Sequence, residues 1–226
     1  MATPAAPPPV EPGEAAQRVL AHGVRWGAYE PLLEALGASH VRTTYDGGSL
    51  EILSPSPEHE ADKVKLRLAF EIIADECDVE YKCLGATTLR KEAAAKGLEP
   101  DERYYLANWR RIAGKKRLDL AIDPPPDLAI EIDVTPSSLD RQGIHAALGV
   151  GELWRFDGQT LRVFQLQDDG TYAPRDRSPS FPLLPLDEIE RFVKQGDVWD
   201  DLRWKRAFRA WVRDQIGHRD PEVGRE

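Results

Sequence analysis

The stretch DLAIEIDV at residues 127–134 carries the strongest β pattern in the chain. Strand side chains alternate between faces. Leu128, Ile130, Ile132 and Val134 therefore share one face, and Asp127, Ala129, Glu131 and Asp133 share the other. The first face is apolar throughout and calls for burial. The second gathers carboxylates, which is open to two readings. One is a half-exposed strand with a solvated polar face. The other starts from the poor strand propensity of acids and the repulsion between acids on one face, which a divalent cation offsets.

Working outward, Pro124-Pro125-Pro126 punctuates the chain before this strand, and Ser137 or Ser138 is expected to cap a helix ending near Gly149. Residues 152–156 and 161–167 flank Asp157-Gly158 and read as a hairpin. Residues 186–194 predict a short helix and 199–216 a final one, with Trp204, Phe208, Trp211 and Val212 on one face. Upstream, residues 15–37 read as a helix stopped by Gly37, and residues 41–45 and 49–53 form a hairpin about Asp46-Gly47-Gly48. Ser56 and Pro57 supply an N-cap and a first helical residue for a long helix reaching about Cys77. Residues 79–84 and 87–90 predict strand pieces. The turn 97–100 then delivers Asp101 to a strand at 103–106. The fold class that follows is α/β (α+β): a mixed β-sheet flanked by helices on both faces.

The division expected is a disordered Pro/Ala-rich tail at 1–14, a main domain at 15–196 and a helical extension at 197–226. The chain has 226 residues and a formal charge of −9, with 41% hydrophobic and 31% charged residues. That balance fits a globular domain with its own core and excludes a strongly basic nucleic-acid coat protein. Cys77 and Cys83 form no metal-binding spacing, and a reduced, cytoplasmic setting is expected. No apolar run is long enough to suggest a membrane span or a secretory signal.

Two acidic groups draw attention as a cation site: Glu131 and Asp133 on the strand, and Glu99, Asp101 and Glu102 after the turn. Mg²⁺ favours one or two carboxylates completed by water and phosphate oxygens. A further feature is the run RYYLANWRRIAGKKR at 103–117, with six basic residues and no acid. Its aromatic and basic residues suit a nucleic-acid contact through Arg110, Arg111, Lys115 and Lys116. The plainer reading is a solvated loop with Tyr104, Tyr105 and Trp109 packed inward. His59 reads as structural or exposed, and His145 as lying on a helix surface. Neither has a partner at a spacing that suggests a nucleophilic triad.

Four segments in order, YDGGSLEILSPSPEHE (45–60), TTLRKEAAAKGLEPDE (87–102), PPPDLAIEIDVTPSSLD (124–140) and ALGVGELWRFDG (147–158), resemble the Uma family of restriction-endonuclease-like proteins. That family belongs to the PD-(D/E)XK nuclease superfamily. The resemblance implies a mixed sheet between helices and Mg²⁺- or Mn²⁺-assisted hydrolysis of phosphodiester bonds in DNA. It also implies roles: Asp101 as bridging metal ligand, Glu131 as second acid, the carbonyl of Ile132 completing the metal site, and Glu60 holding a metal-bound water. The second element reads Glu131-Ile132-Asp133 where the pattern has Glu-x-Lys. The resemblance places Arg141 where relatives carry a lysine on the next helix, with Lys82 and Lys91 as other candidates and Asp133 as either a further metal ligand or an acid beside the site. The missing lysine motivates an alternative, a degenerate nuclease fold that only binds nucleic acid or a protein. Nucleases of this class often dimerise, so a homodimer is also expected.

Overall fold

The computed structural model describes residues 16–37, 41–115, 117–134, 137–196 and 198–217. The expected tail at 1–14 and Lys116 lie outside the described residues. The strands form two sheets. The first contains β1 (Gln17–Ala21), β2 (Arg42–Asp46), β3 (Ser49–Ser54), β5 (Leu89–Lys91) and β6 (Lys96–Leu98), ordered β1-β3-β2-β6-β5 with every pair antiparallel. The second contains β4 (Lys82–Cys83), β7 (Glu102–Tyr105), β8 (Leu128–Ile132), β9 (Glu152–Phe156), β10 (Leu161–Leu166) and β11 (Tyr172–Arg175), ordered β11-β10-β9-β8-β7-β4. Within it β8 and β9 run parallel and every other pair is antiparallel. The helices are α1 (Trp26–Leu36), α2 (Pro57–Glu76), α3 (Trp109–Ile112), α4 (Arg141–Leu148), α5 (Leu186–Gln195) and α6 (Asp201–Gly217).

The α+β class and the helices on both faces of a mixed sheet agree with the sequence reading. The strands, however, divide between two sheets. Strand β8 explains the layering. Its apolar face, Leu128, Ile130 and Ile132, enters the large core with Phe70 and Ile73 of α2, Trp154 and Phe156 of β9, and Trp204 and Phe208 of α6. Its other face enters a smaller core, where Ala129 meets Leu98 of β6, Ile144 and Leu148 of α4, and Leu153 of β9. Helix α4 thus fills the angle between the sheets, and the carboxylate face of β8 looks into that junction.

Three local expectations are corrected. Residues 17–21 form a strand on β3 rather than the start of a helix, because Val19 and Leu20 satisfy a β period as well as a helical one. Gly97 lies in β6 rather than in a turn, paired with Tyr45 of β2 and Arg90 of β5, and a Cβ there would come within 2.7 Å of the Tyr29 hydroxyl. The cap of α4 is Asp140, which accepts the Gly143 N–H at 3.0 Å. Ser137 and Ser138 are engaged elsewhere: the Ser137 hydroxyl and the Ser138 N–H both donate to Glu51, at 2.6 and 2.7 Å.

Candidate active site

The pairing of β7 with β8 sets Glu102 opposite Ile130, and continuing it by one residue brings Asp101 beside Glu131. Two backbone contacts fix this: the Asp101 N–H donates to the Ile130 carbonyl at 3.2 Å, and the Ile132 N–H donates to Asp101 Oδ2 at 2.7 Å. Asp101 and Glu131 are both buried. The two acids singled out from the sequence therefore stand side by side on neighbouring strands, with the Ile132 N–H on Asp101.

Each acid faces a guanidinium. Arg141, at the start of α4, donates from Nη2 to both carboxylate oxygens of Glu131 at 2.7 Å, and from Nε to Oε2 at 3.1 Å. The same guanidinium donates to the Glu99 carbonyl at 2.8 Å and to the Thr44 hydroxyl of β2. It thereby ties the first sheet to the second. Arg42 of β2 forms an ion pair with Asp101 Oδ1 and donates to Glu60 Oε1 of α2 at 2.9 Å. His59 lies in the same layer, its Nε2 3.2 Å from Asp101 Oδ1. Glu99 accepts from the hydroxyls of Thr88 and Thr43, at 3.0 and 3.3 Å. A cleft of about 360 Å³ opens onto this cluster, lined by Arg42, Glu60, Lys63, Ala86 and Glu99 among others.

The protonation pattern follows from burial and pairing. Burial by itself would raise the Glu131 carboxyl, but the Arg141 guanidinium and the hydrogen bond to His145 outweigh it and hold the group at about 2. Burial, aided by the Arg42 charge, pushes His59 down to about 4, so the ring is neutral at pH 7. Burial raises Glu99 against its two hydroxyl donors. At Glu60 burial is overcome by Lys63, whose hydrogen bond keeps that acid below its ordinary range.

The remaining predicted residues separate from this cluster. Asp133 pairs with Arg155 Nε at 2.7 Å on the neighbouring strand. Lys82 and Lys91 make no contact with Glu131 among the described residues. In the basic run, Arg110 pairs with Glu80 and lies 4.5 Å over the Trp109 ring, Arg111 donates to the Asn108 carboxamide at 3.1 Å, and Lys115 pairs with Asp123. Tyr104 and Tyr105 are buried, as the plainer reading expected. His145 corrects the sequence reading outright. It is fully buried, and its Nε2 lies 2.5 Å from Glu131 Oε1. The signal was available, because His145 follows Arg141 by one helical turn and shares its face. Arg42 was missed for want of any local signal: it reaches Asp101 only through the meeting of the two sheets.

No curated protein matches. Among solved structures, the chain is similar to a protein of Anabaena variabilis ATCC 29413 described as "a putative nuclease belonging to DUF820". The identity is 19% and the TM-score 0.47, over 67% of this chain and 90% of that one. Residues 27–193 match the model of Uma2, described as "Putative restriction endonuclease", and the chain belongs to that family.

Proposed function

We propose that this chain hydrolyses phosphodiester bonds in DNA with the help of a divalent cation, Mg²⁺ or Mn²⁺. The observation that carries the proposal is the buried pair Asp101 and Glu131 on adjacent strands, behind a cleft lined by their partners Arg42, Glu60 and Glu99. The residues fit such an ion in two respects. Asp101 Oδ1 is buried beside Arg42 and His59 and is a carboxylate oxygen of the kind Mg²⁺ takes. Four acids, Glu60, Glu99, Asp101 and Glu131, converge on three cations, Arg42, Lys63 and Arg141, which favours added positive charge. Among the described residues, no group of three or more His, Cys, Asp or Glu side chains is placed to hold a metal ion by itself. Mg²⁺ needs none, since it completes its shell with water and phosphate oxygens.

Asp101 and Glu131 would hold the ion together with the backbone at Ile132. When bound, the ion polarises the phosphate and makes its water more acidic. Arg141 cannot act as a base, because its guanidinium stays protonated. Its part is to neutralise charge building on the phosphate oxygens. Glu60, half-exposed on the cleft wall, orients water rather than strongly deprotonating it, since Lys63 weakens it as a base.

A second reading is favoured by the ion pairs themselves. Arg42 and Arg141 already neutralise both acids, as in a nuclease fold that binds nucleic acid without cutting it. Calorimetric titration with Mn²⁺ separates the two. Binding that disappears in Asp101→Asn supports the metal-dependent nuclease, whereas no heat from the wild type in excess Mn²⁺ supports the binding module.

A further inference from the structure

The strand that carries Asp101 carries a second unusual group. Arg103 follows Asp101 by two residues and points to the same face, about 7 Å further along β7. The residue is 4% exposed. No carboxylate pairs with it among the described residues: its one hydrogen bond runs from Nη2 to the Thr87 hydroxyl, and its Nε is buried with no acceptor. Burial lowers its pKa, against smaller opposing effects of Tyr105 and Cys83, and no carboxylate compensates. A buried charge left unpaired is strongly unfavourable, and such groups are normally paired.

Arg103 also lines a groove of about 580 Å³. The wall brings Thr87, Thr88, Arg90, Lys115 and Arg117 around it, with Glu34 as the acid of the rim. Of these cations, Arg90 reaches Glu30 at 3.5 Å and Lys115 pairs with Asp123 on the exposed side. The segment 86–88 is shared with the acidic cleft: Ala86 lines that cleft, Thr88 donates to Glu99, and Thr87 accepts from Arg103.

We infer that Arg103 is the anchor of an anion subsite, and that its occupant is a backbone phosphate of a nucleic acid strand running past Asp101 and Glu131. A tetrahedral phosphate supplies acceptors to a guanidinium whose only side-chain partner among the described residues is the Thr87 hydroxyl. The hydroxyls of Thr87 and Thr88 and the charges of Arg90 and Arg117 complete its surroundings. The anion subsite stands on the burial of Arg103, its unmet Nε and the basic groove it lines. The strand as occupant rests on the nuclease reading of the neighbouring cleft.

The test uses the full chain in EDTA, so that neither metal binding nor cleavage enters. Thermal unfolding is followed with inorganic phosphate, and binding of a fluorescent single-stranded oligonucleotide is followed by anisotropy across a salt series. Wild type, Arg103→Met and the surface pair Arg90→Ala/Arg117→Ala are compared. The expected result is a melting temperature that rises with phosphate in the wild type and not in Arg103→Met. Arg103→Met itself should melt no lower than wild type in phosphate-free buffer, because it removes an uncompensated charge. Oligonucleotide affinity should fall about tenfold in Arg103→Met, with the salt slope reduced by about 1, and should fall also in the surface pair, which leaves the interior untouched. If phosphate stabilises the wild type and the oligonucleotide binds equally to all three proteins, the strand is overturned as occupant. If phosphate stabilises wild type and Arg103→Met alike, or neither, the subsite is overturned. None of these outcomes depends on whether the cleft holds a metal or cuts.

Discussion

Arg141 lies across Glu131 so that one guanidinium nitrogen reaches both carboxylate oxygens at 2.7 Å, with both residues buried or nearly so. The pair joins helix α4 to strand β8, and its remaining donors reach Thr44 and the Glu99 carbonyl. Arg141 therefore holds the acid in place and holds the two sheets together.

Breaking this pair from one side leaves an uncompensated buried charge, which typically costs 3–5 kcal/mol. Glu131→Ala should lose stability on that scale in urea unfolding. The double change Glu131→Gln/Arg141→Met should recover a good part of the loss, since the orphaned guanidinium is gone. Equal losses in the single and double variants would mean that the pair is not what stabilises this junction.

Stability should depend on acid through the same group. The Glu131 carboxyl sits at about 2 against an ordinary value of 4.5. A depressed carboxyl stabilises the fold fully above the unfolded value, and that contribution is lost as pH falls from about 4.5 toward about 2. Unfolding free energy measured across this window should decline with a smaller slope in Glu131→Gln. An identical slope in both proteins would assign the acid sensitivity to other carboxylates.

Gly97 should not tolerate a methyl group. An alanine Cβ would stand 2.7 Å from the Tyr29 hydroxyl and 2.9 Å from its ring, and that ring is already stacked on Tyr45 at 4.6 Å. Overpacking of this kind costs roughly 1–3 kcal/mol. Gly97→Ala is expected to unfold at lower urea, and Gly97→Ala/Tyr29→Phe should regain part of the difference by removing the closest atom.

Cys83 should be a slow thiol. Burial raises it to about 11, with Glu102 adding to the effect through its charge and the Sγ–Oε2 contact at 3.3 Å. At pH 8 its alkylation should lag far behind that of a small-molecule thiol, because the thiolate is the reactive form. Glu102→Gln should speed it. Mass spectrometry of iodoacetamide-treated protein reads both, and rapid labelling of wild-type Cys83 would contradict the burial.

Much of the site was legible because it is written in short-range patterns. The alternation in DLAIEIDV gave the two faces of β8, and the structure buries Leu128, Ile130 and Ile132 in one core and Ala129 in another. Ser56 and Pro57 gave the start of α2, and the Ser56 hydroxyl does accept the His59 N–H, at 3.3 Å. What escaped depends on chain segments far apart. Residues 17–21 become a strand only because β3 offers an edge to pair with. Ser137 and Ser138 cannot cap α4 because Glu51, a residue of the other sheet, claims them. Arg42 belongs to the site only because the sheets meet at Asp101. The buried Arg103 sat unremarked at the head of the basic run, since no local pattern distinguishes an interior arginine from its solvated neighbours.

Asp101 and Glu131 are proposed to form the working centre of a metal-dependent nuclease. The most direct test is the nicking of supercoiled plasmid by purified wild type, Asp101→Asn and Glu131→Gln, each shown to be folded by circular dichroism, in Mg²⁺, Mn²⁺ and EDTA. The account predicts nicking by wild type with either metal, none in EDTA, and a loss of at least about a hundredfold in each variant. Plasmid left intact by wild type in both metals, or nicked equally by wild type and variants, would contradict it.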